Sequence, residues 1–145
     1  GFPIGAMLCR EEVASGFAPG DHASTFGGNP VACAAAFAVM EGLLQEGFLD
    51  DVASRGAYFL EKLELLKERF PDAVHQIRGK GMILGMELRS LGREVQQRCQ
   101  EKGLLINCIG EKILRFLPPL NVRKEEIDSA LDILQDAMTE VFNGE

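Results

Sequence analysis

Two stretches of this chain carry residue types and spacings that could do chemistry. The first, Ser24-Thr25-Phe26-Gly27-Gly28-Asn29-Pro30, sets two hydroxyls and a glycine pair directly ahead of an apolar run from Val31 to Leu44. Backbone N–H groups at a helix start have no partner inside the helix, and the helix dipole favours negative charge there. The spacing therefore predicts an anion cradle, with phosphate as its natural occupant. An ordinary capped helix shows the same residue types, and that is the competing reading. The second is Arg115, which interrupts the apolar strand Ile113-Leu114-Arg115-Phe116-Leu117. A guanidinium in such a strand either meets a carboxylate or phosphate, whose oxygens suit its planar fork, or points outward from an edge strand.

Other chemistries find little support. His22 and His75 have no metal-ligand spacing to cysteines or carboxylates, which makes zinc improbable. A GxSxG elbow, a phosphate-binding Walker loop and a GxGxxG fingerprint are all absent from the sequence. The six lysines, Lys62, Lys67, Lys80, Lys102, Lys112 and Lys124, lie mostly in charged helical settings that give no reason for a depressed amine pKa. Arg78 and Lys80 flank glycines, and turn chemistry already accounts for that arrangement.

The elements that must position these groups follow from periodicity. Asn29 then Pro30 reads as an N-cap and first helical residue, opening a helix to about Gln45 that is apolar on nearly every side. Before it, Phe2 to Leu8 suits an extended segment, and Glu11 to Val13 a short helical turn. Val52, Gly56, Phe59, Leu60, Leu63, Leu66 and Phe70 recur at helical spacing up to Pro71. Val74 to Gln76 and Met82 to Leu88 read as strands, with a bulge or bend at Arg78-Gly79-Lys80-Gly81. A helix over Gly92 to Lys102 ends at Gly103. Leu104 to Cys108 and Ile113 to Phe116 then pair, and a last helix starts near Lys124 with Ile127, Leu131, Leu134 and Met138 on one stripe. This order predicts an α+β fold: a small, mostly antiparallel sheet with helices on one face.

Composition bounds the function. With 145 residues, 46% hydrophobic and 26% charged, the chain is about one globular domain in size. Its longest apolar run, Val31 to Met40, falls short of the ~20 residues that span a bilayer. The net charge of −7, with basic residues interrupted by acids, argues against a nucleic-acid surface and leaves small molecules and protein partners. Four cysteines without a CxxC pair fit a reducing, cytoplasmic setting.

Taken together and in order, Gly1-Phe2-Pro3-Ile4-Gly5-Ala6, Gly20-Asp21-His22-Ala23-Ser24-Thr25-Phe26-Gly27-Gly28-Asn29-Pro30, Ile77-Arg78-Gly79-Lys80-Gly81 and Leu114-Arg115-Phe116-Leu117-Pro118-Pro119 resemble the C-terminal part of a class III pyridoxal-phosphate aminotransferase, of the acetylornithine type. The resemblance implies a remnant of the large cofactor-binding domain over residues 1–46. It implies the C-terminal small domain of a fold-type I enzyme over residues 47–145. It further implies pyridoxal 5'-phosphate as cofactor, with Thr25, helped by Ser24, on the phosphate held by the neighbouring subunit of a homodimer. Arg115 resembles the arginine that clamps the substrate α-carboxylate. The implied reaction moves the terminal amino group of N-acetylornithine to 2-oxoglutarate, a step of arginine biosynthesis. The Schiff-base lysine of the family falls immediately upstream of Gly1, so this stretch alone is expected to be inactive. Some relatives carry tyrosine where Phe26 stands and glycine where Ala23 stands, so no role for a phenol carries over. The alternatives are ornithine or 4-aminobutyrate specificity within the family, or a non-catalytic α+β module in which Arg115 reads an amino-acid carboxylate.

Overall fold

The computed structural model describes residues 1–144. The chain forms two compact units, one of Gly1–Phe48 and one that begins at Leu49.

In the first unit the extended stretch expected over Phe2 to Leu8 forms no strand, since no neighbouring strand pairs with it, and only the short helix α1 (Glu11–Ala14) precedes the long loop. Helix α2 (Pro30–Leu43) begins as its sequence dictates. Asn29 accepts from the backbone N–H of Val31 at 3.0 Å and of Ala32 at 3.1 Å, and Pro30 takes the first helical position where its missing donor costs nothing. Only Ala32 is buried along this helix.

The second unit is the α+β layer the periodicity predicts. Helix α3 (Phe48–Arg69) leads to strands β1 (Val74–Lys80) and β2 (Ile83–Leu88), helix α4 (Gly92–Glu101), strands β3 (Asn107–Ile109) and β4 (Ile113–Phe116), and helix α5 (Lys124–Asn143). The four strands are antiparallel in the order β1-β2-β4-β3, so β4 returns to lie beside β2 and β3 forms the far edge. Strand β1 continues through Arg78-Gly79-Lys80, and its irregularity falls between Val74 and Gln76 rather than at the glycines. Gly79 stays in register because it alone can hold φ +147 where a Cβ would stand 2.1 Å from the Ile83 carbonyl oxygen.

Side-chain parity divides the sheet. Ile77, Leu84, Met86, Leu88, Leu114 and Phe116 are buried on one face, where the helices supply Phe59, Leu63, Val95, Cys99, Ile127, Leu134 and Met138. Removing that much apolar surface from water, at roughly 25 cal/mol per Å², is what holds the layers together. On the other face the same strands present Gln76, Arg78, Ile83, Asn107 and Arg115, all exposed within this unit. A sheet covered on one side only therefore offers its open face, and the polar residues on it, to whatever binds there.

Candidate functional site

Each of the two motifs lies in its own unit. In the first, Ser24 and Thr25 are exposed on the loop ahead of α2. Gly27 folds back over Ser24 so closely that a Cβ there would meet the Ser24 Cβ at 2.9 Å and its Oγ at 3.0 Å. Gly28 then turns the chain at φ +72 into the Asn29 cap. The helix start itself differs from expectation. Its first N–H groups are not free for an anion, because the Asn29 side chain takes those of Val31 and Ala32, and the Asn29 carbonyl takes that of Cys33 at 2.9 Å. The donors left over are the Ser24 and Thr25 hydroxyls and the N–H groups of Thr25, Phe26, Gly27 and Gly28, which have no hydrogen-bond partner among the described residues. An anion at this loop would be met by the hydroxyls and turn amides, with the helix contributing its dipole alone.

In the second unit Arg115 sits at the centre of the open sheet face. Strand β4 is an interior strand, which corrects the edge-strand alternative: Gly85 on β2 faces Arg115 from one side and Asn107 on β3 from the other. Arg115 is exposed, its neighbours Leu114 and Phe116 point into the core, and it makes no ion pair among the described residues. The same row continues to Arg78 on β1, opposite Gly85. Arg78 is already engaged, donating to the Glu87 carboxylate on the adjacent strand and to the Gln76 side chain at 3.2 Å. The Arg78 guanidinium holds the Glu87 carboxyl below the usual carboxylate range. One guanidinium of the row is neutralised and the other, Arg115, is available for a planar anion.

The sequence reading passed over Arg55, which carries the support for this strand. Buried on α3, it donates to the Val122 carbonyl at 2.6 Å and pairs with Asp51 at 2.8 Å, so that α3 grips the Pro118–Val122 loop into which β4 runs. An arginine one place before Gly56 in an otherwise apolar stripe was the signal for it. Among the described residues no group of three His, Cys, Asp or Glu side chains could hold a metal ion, and no single helix is long and apolar enough to cross a membrane.

With this geometry in view, comparison with known proteins fixes the class. Residues 1–138 match the family described as aminotransferase class-III, and the chain belongs to that family. Its curated relatives include acetylornithine aminotransferases from Caldanaerobacter subterraneus subsp. tengcongensis, 50% identical over 97% of this chain and 36% of that protein, and from Methanocaldococcus jannaschii, 45% identical over 97% of this chain and 35% of that protein. Similar solved structures include acetylornithine aminotransferase from Elizabethkingia anophelis, with TM-score 0.82 and 28% identity over 92% of this chain and 36% of that one. Plasmodium falciparum ornithine delta-aminotransferase matches at TM-score 0.82 and 29% identity, over 95% of this chain and 36% of that one. The chain thus spans about a third of the length of the relatives it matches. Enzymes of this family depend on pyridoxal phosphate.

Proposed function

We propose that this chain is the C-terminal part of an acetylornithine aminotransferase, which moves the terminal amino group of N-acetylornithine to 2-oxoglutarate in arginine biosynthesis. The curated relatives of that name, at 40 to 50% identity, support this choice over ornithine or 4-aminobutyrate as donor. Residues 1–46 would belong to the large cofactor-binding domain and 47–145 to the small domain, a division close to that between the two compact units. When bound, pyridoxal phosphate supplies the electron sink that lets an amino group leave one carbon and join another.

The residues present fit that cofactor's phosphate. Thr25 Oγ1 and Ser24 Oγ, with the amides from Thr25 to Gly28, are uncommitted donors around a turn that a side chain at Gly27 would close. In this reading they serve the phosphate of the neighbouring subunit, which makes the active protein a homodimer. Arg115 binds the substrate α-carboxylate in a bidentate pair and orients it, while its burial-locked neighbours Leu114 and Phe116 keep it on the open face. None of the six lysines stands in the loop beside Ser24 and Thr25, and the amine that holds the cofactor is assigned to the large domain, so turnover belongs to the complete protein.

The observation that carries this reading is Arg115, central on a bare sheet face and without an ion pair among the described residues. The test is the complete enzyme with Arg115→Ala. Loss of a charged bidentate pair should weaken 2-oxoglutarate binding by about tenfold to a hundredfold. A normal affinity in that variant would remove Arg115 from the site.

A further inference from the structure

Gly85 is the one member of the Arg78–Gly85–Arg115–Asn107 row without a side chain, and neither its φ nor its neighbours in this unit demand a glycine there. The other glycines of the sheet layer that resist substitution do so visibly. A Cβ on Gly56 would stand 2.6 Å from the Gly81 carbonyl oxygen, and one on Gly92 2.5 Å from that of Glu111; Gly81, Gly103 and Gly110 have positive φ. Gly85 has neither constraint. Its φ is not positive, and a Cβ placed on it would find Ile113 Cγ2 at 3.5 Å, the Arg78 carbonyl at 3.8 Å and the Leu114 carbonyl at 3.9 Å, all ordinary contacts. A glycine inside a strand weakens it, and where no bulge or turn requires one it marks a place that something approaches closely. No bulge falls at Gly85: pairing with β1 and with β4 runs through it in register.

We propose that Gly85 is a specificity-determining position, whose missing side chain keeps the sheet surface beside Arg115 clear so that the substrate carboxylate can lie against the guanidinium. A Cβ there would stand about 5 Å from that of Arg115 in the cross-strand pair, on the same open face. Strand spacing puts the backbones of Arg78 and Arg115, two strands apart, at roughly 10 Å, with Gly85 between them and Ile113 beside it. Arg78 is tied to Glu87, so the free charge beside Gly85 comes from Arg115. The inference rests on the assignment of Arg115 to the α-carboxylate.

The test uses the complete protein loaded with the cofactor in its aldehyde form and two oxo acids that this form cannot aminate, 2-oxoglutarate and 4-oxobutanoate, which differ by the α-carboxylate alone, with binding measured by calorimetry. Gly85→Ala should reduce the preference for 2-oxoglutarate by about tenfold, the worth of one charged hydrogen bond, and Gly85→Val should abolish it. Gly85→Ala should melt at or above the wild-type temperature, because the new Cβ meets only ordinary contacts. Partial unfolding lowers the binding of both probes alike, so the ratio remains informative even in a weakened variant. A preference kept in Gly85→Val but lost in Arg115→Ala overturns the proposal and leaves the Arg115 assignment standing. A preference kept in Arg115→Ala overturns both.

Discussion

The Phe116 ring meets the Phe59 ring edge-on, with centroids 5.4 Å apart and planes at 70°. Phe59 comes from α3 and Phe116 from β4, so the contact ties the central strand of the site to the helical layer. Strand parity does the rest. With Phe116 and Leu114 committed to the core, Arg115 between them has only the open face. Phe116→Ala should cost about 3–5 kcal/mol in unfolding free energy, from lost burial plus the cavity it leaves. A double-mutant cycle with Phe59→Ala should show about 0.5–1.5 kcal/mol of coupling for the aromatic pair. Additive losses would mean that the rings share the core without an edge-to-face contribution.

Arg55 and Val122 give the loop after β4 its second anchor. The guanidinium is buried and donates to the Val122 carbonyl at 2.6 Å, and Val122 is itself buried. Arg55→Met keeps the apolar stem but strands that carbonyl, at a cost of about 1–3 kcal/mol. Arg55→Ala should cost more, since the stem's packing goes as well. Both should lower the hydrogen-exchange protection of the Val122 amide, which donates to the Pro119 carbonyl, by more than that of the β1 amides, which do not share the anchor. An equal loss at the two places would show that the loop does not depend on Arg55.

Two effects of opposite sign meet at Gly56. Replacing a mid-helix glycine with alanine ordinarily stabilises by about 1 kcal/mol. Here the new Cβ would stand 2.6 Å from the Gly81 carbonyl oxygen, and that atom belongs to the backbone of the β1–β2 turn, which cannot rotate away. Overpacking of this kind costs about 1–3 kcal/mol, so Gly56→Ala should be net destabilising. A lowered urea midpoint with an unchanged denaturant slope is the expected result.

Much of this was legible in the sequence, for reasons that differ by element. The cap at Asn29-Pro30 and the amphipathic stripe of α5 are local signals, set by residues within a turn of each other, and both appear as read. What escaped was non-local. That β4 is interior depends on its pairing with β2 across α4 and β3, which no short window reveals. Strand β3 begins at Asn107 and not Leu104, because only Asn107, Cys108 and Ile109 find partners on β4. Strand β1 runs on through Arg78-Gly79-Lys80, where Gly79, with Gly81 just beyond, concealed a continuing ladder. At the loop from Ser24 to Asn29 the competition for donors was not visible in the sequence: an asparagine that caps a helix consumes the very N–H groups an anion would want. The hydroxyls and turn amides remain uncommitted.

Cysteine reactivity separates the two thiol environments of the chain. Cys99 is fully buried between α4 and the core, and burial pushes its thiol up to about 11. Cys108, partly covered on β3, is also raised by burial, whereas Cys9 and Cys33 are exposed in the first unit. At pH 8 the Cys99 thiol therefore stays protonated and unreactive. Alkylation followed by peptide mapping should label Cys99 only under denaturing conditions. The same shift links stability to pH. The folded state prefers the neutral thiol, so the contribution is fully present below the unfolded pKa of 9.0 and is lost as pH rises through about 11. Cys99→Ala should flatten the fall in stability over that alkaline window, and a fall as steep as wild type would assign it to other groups.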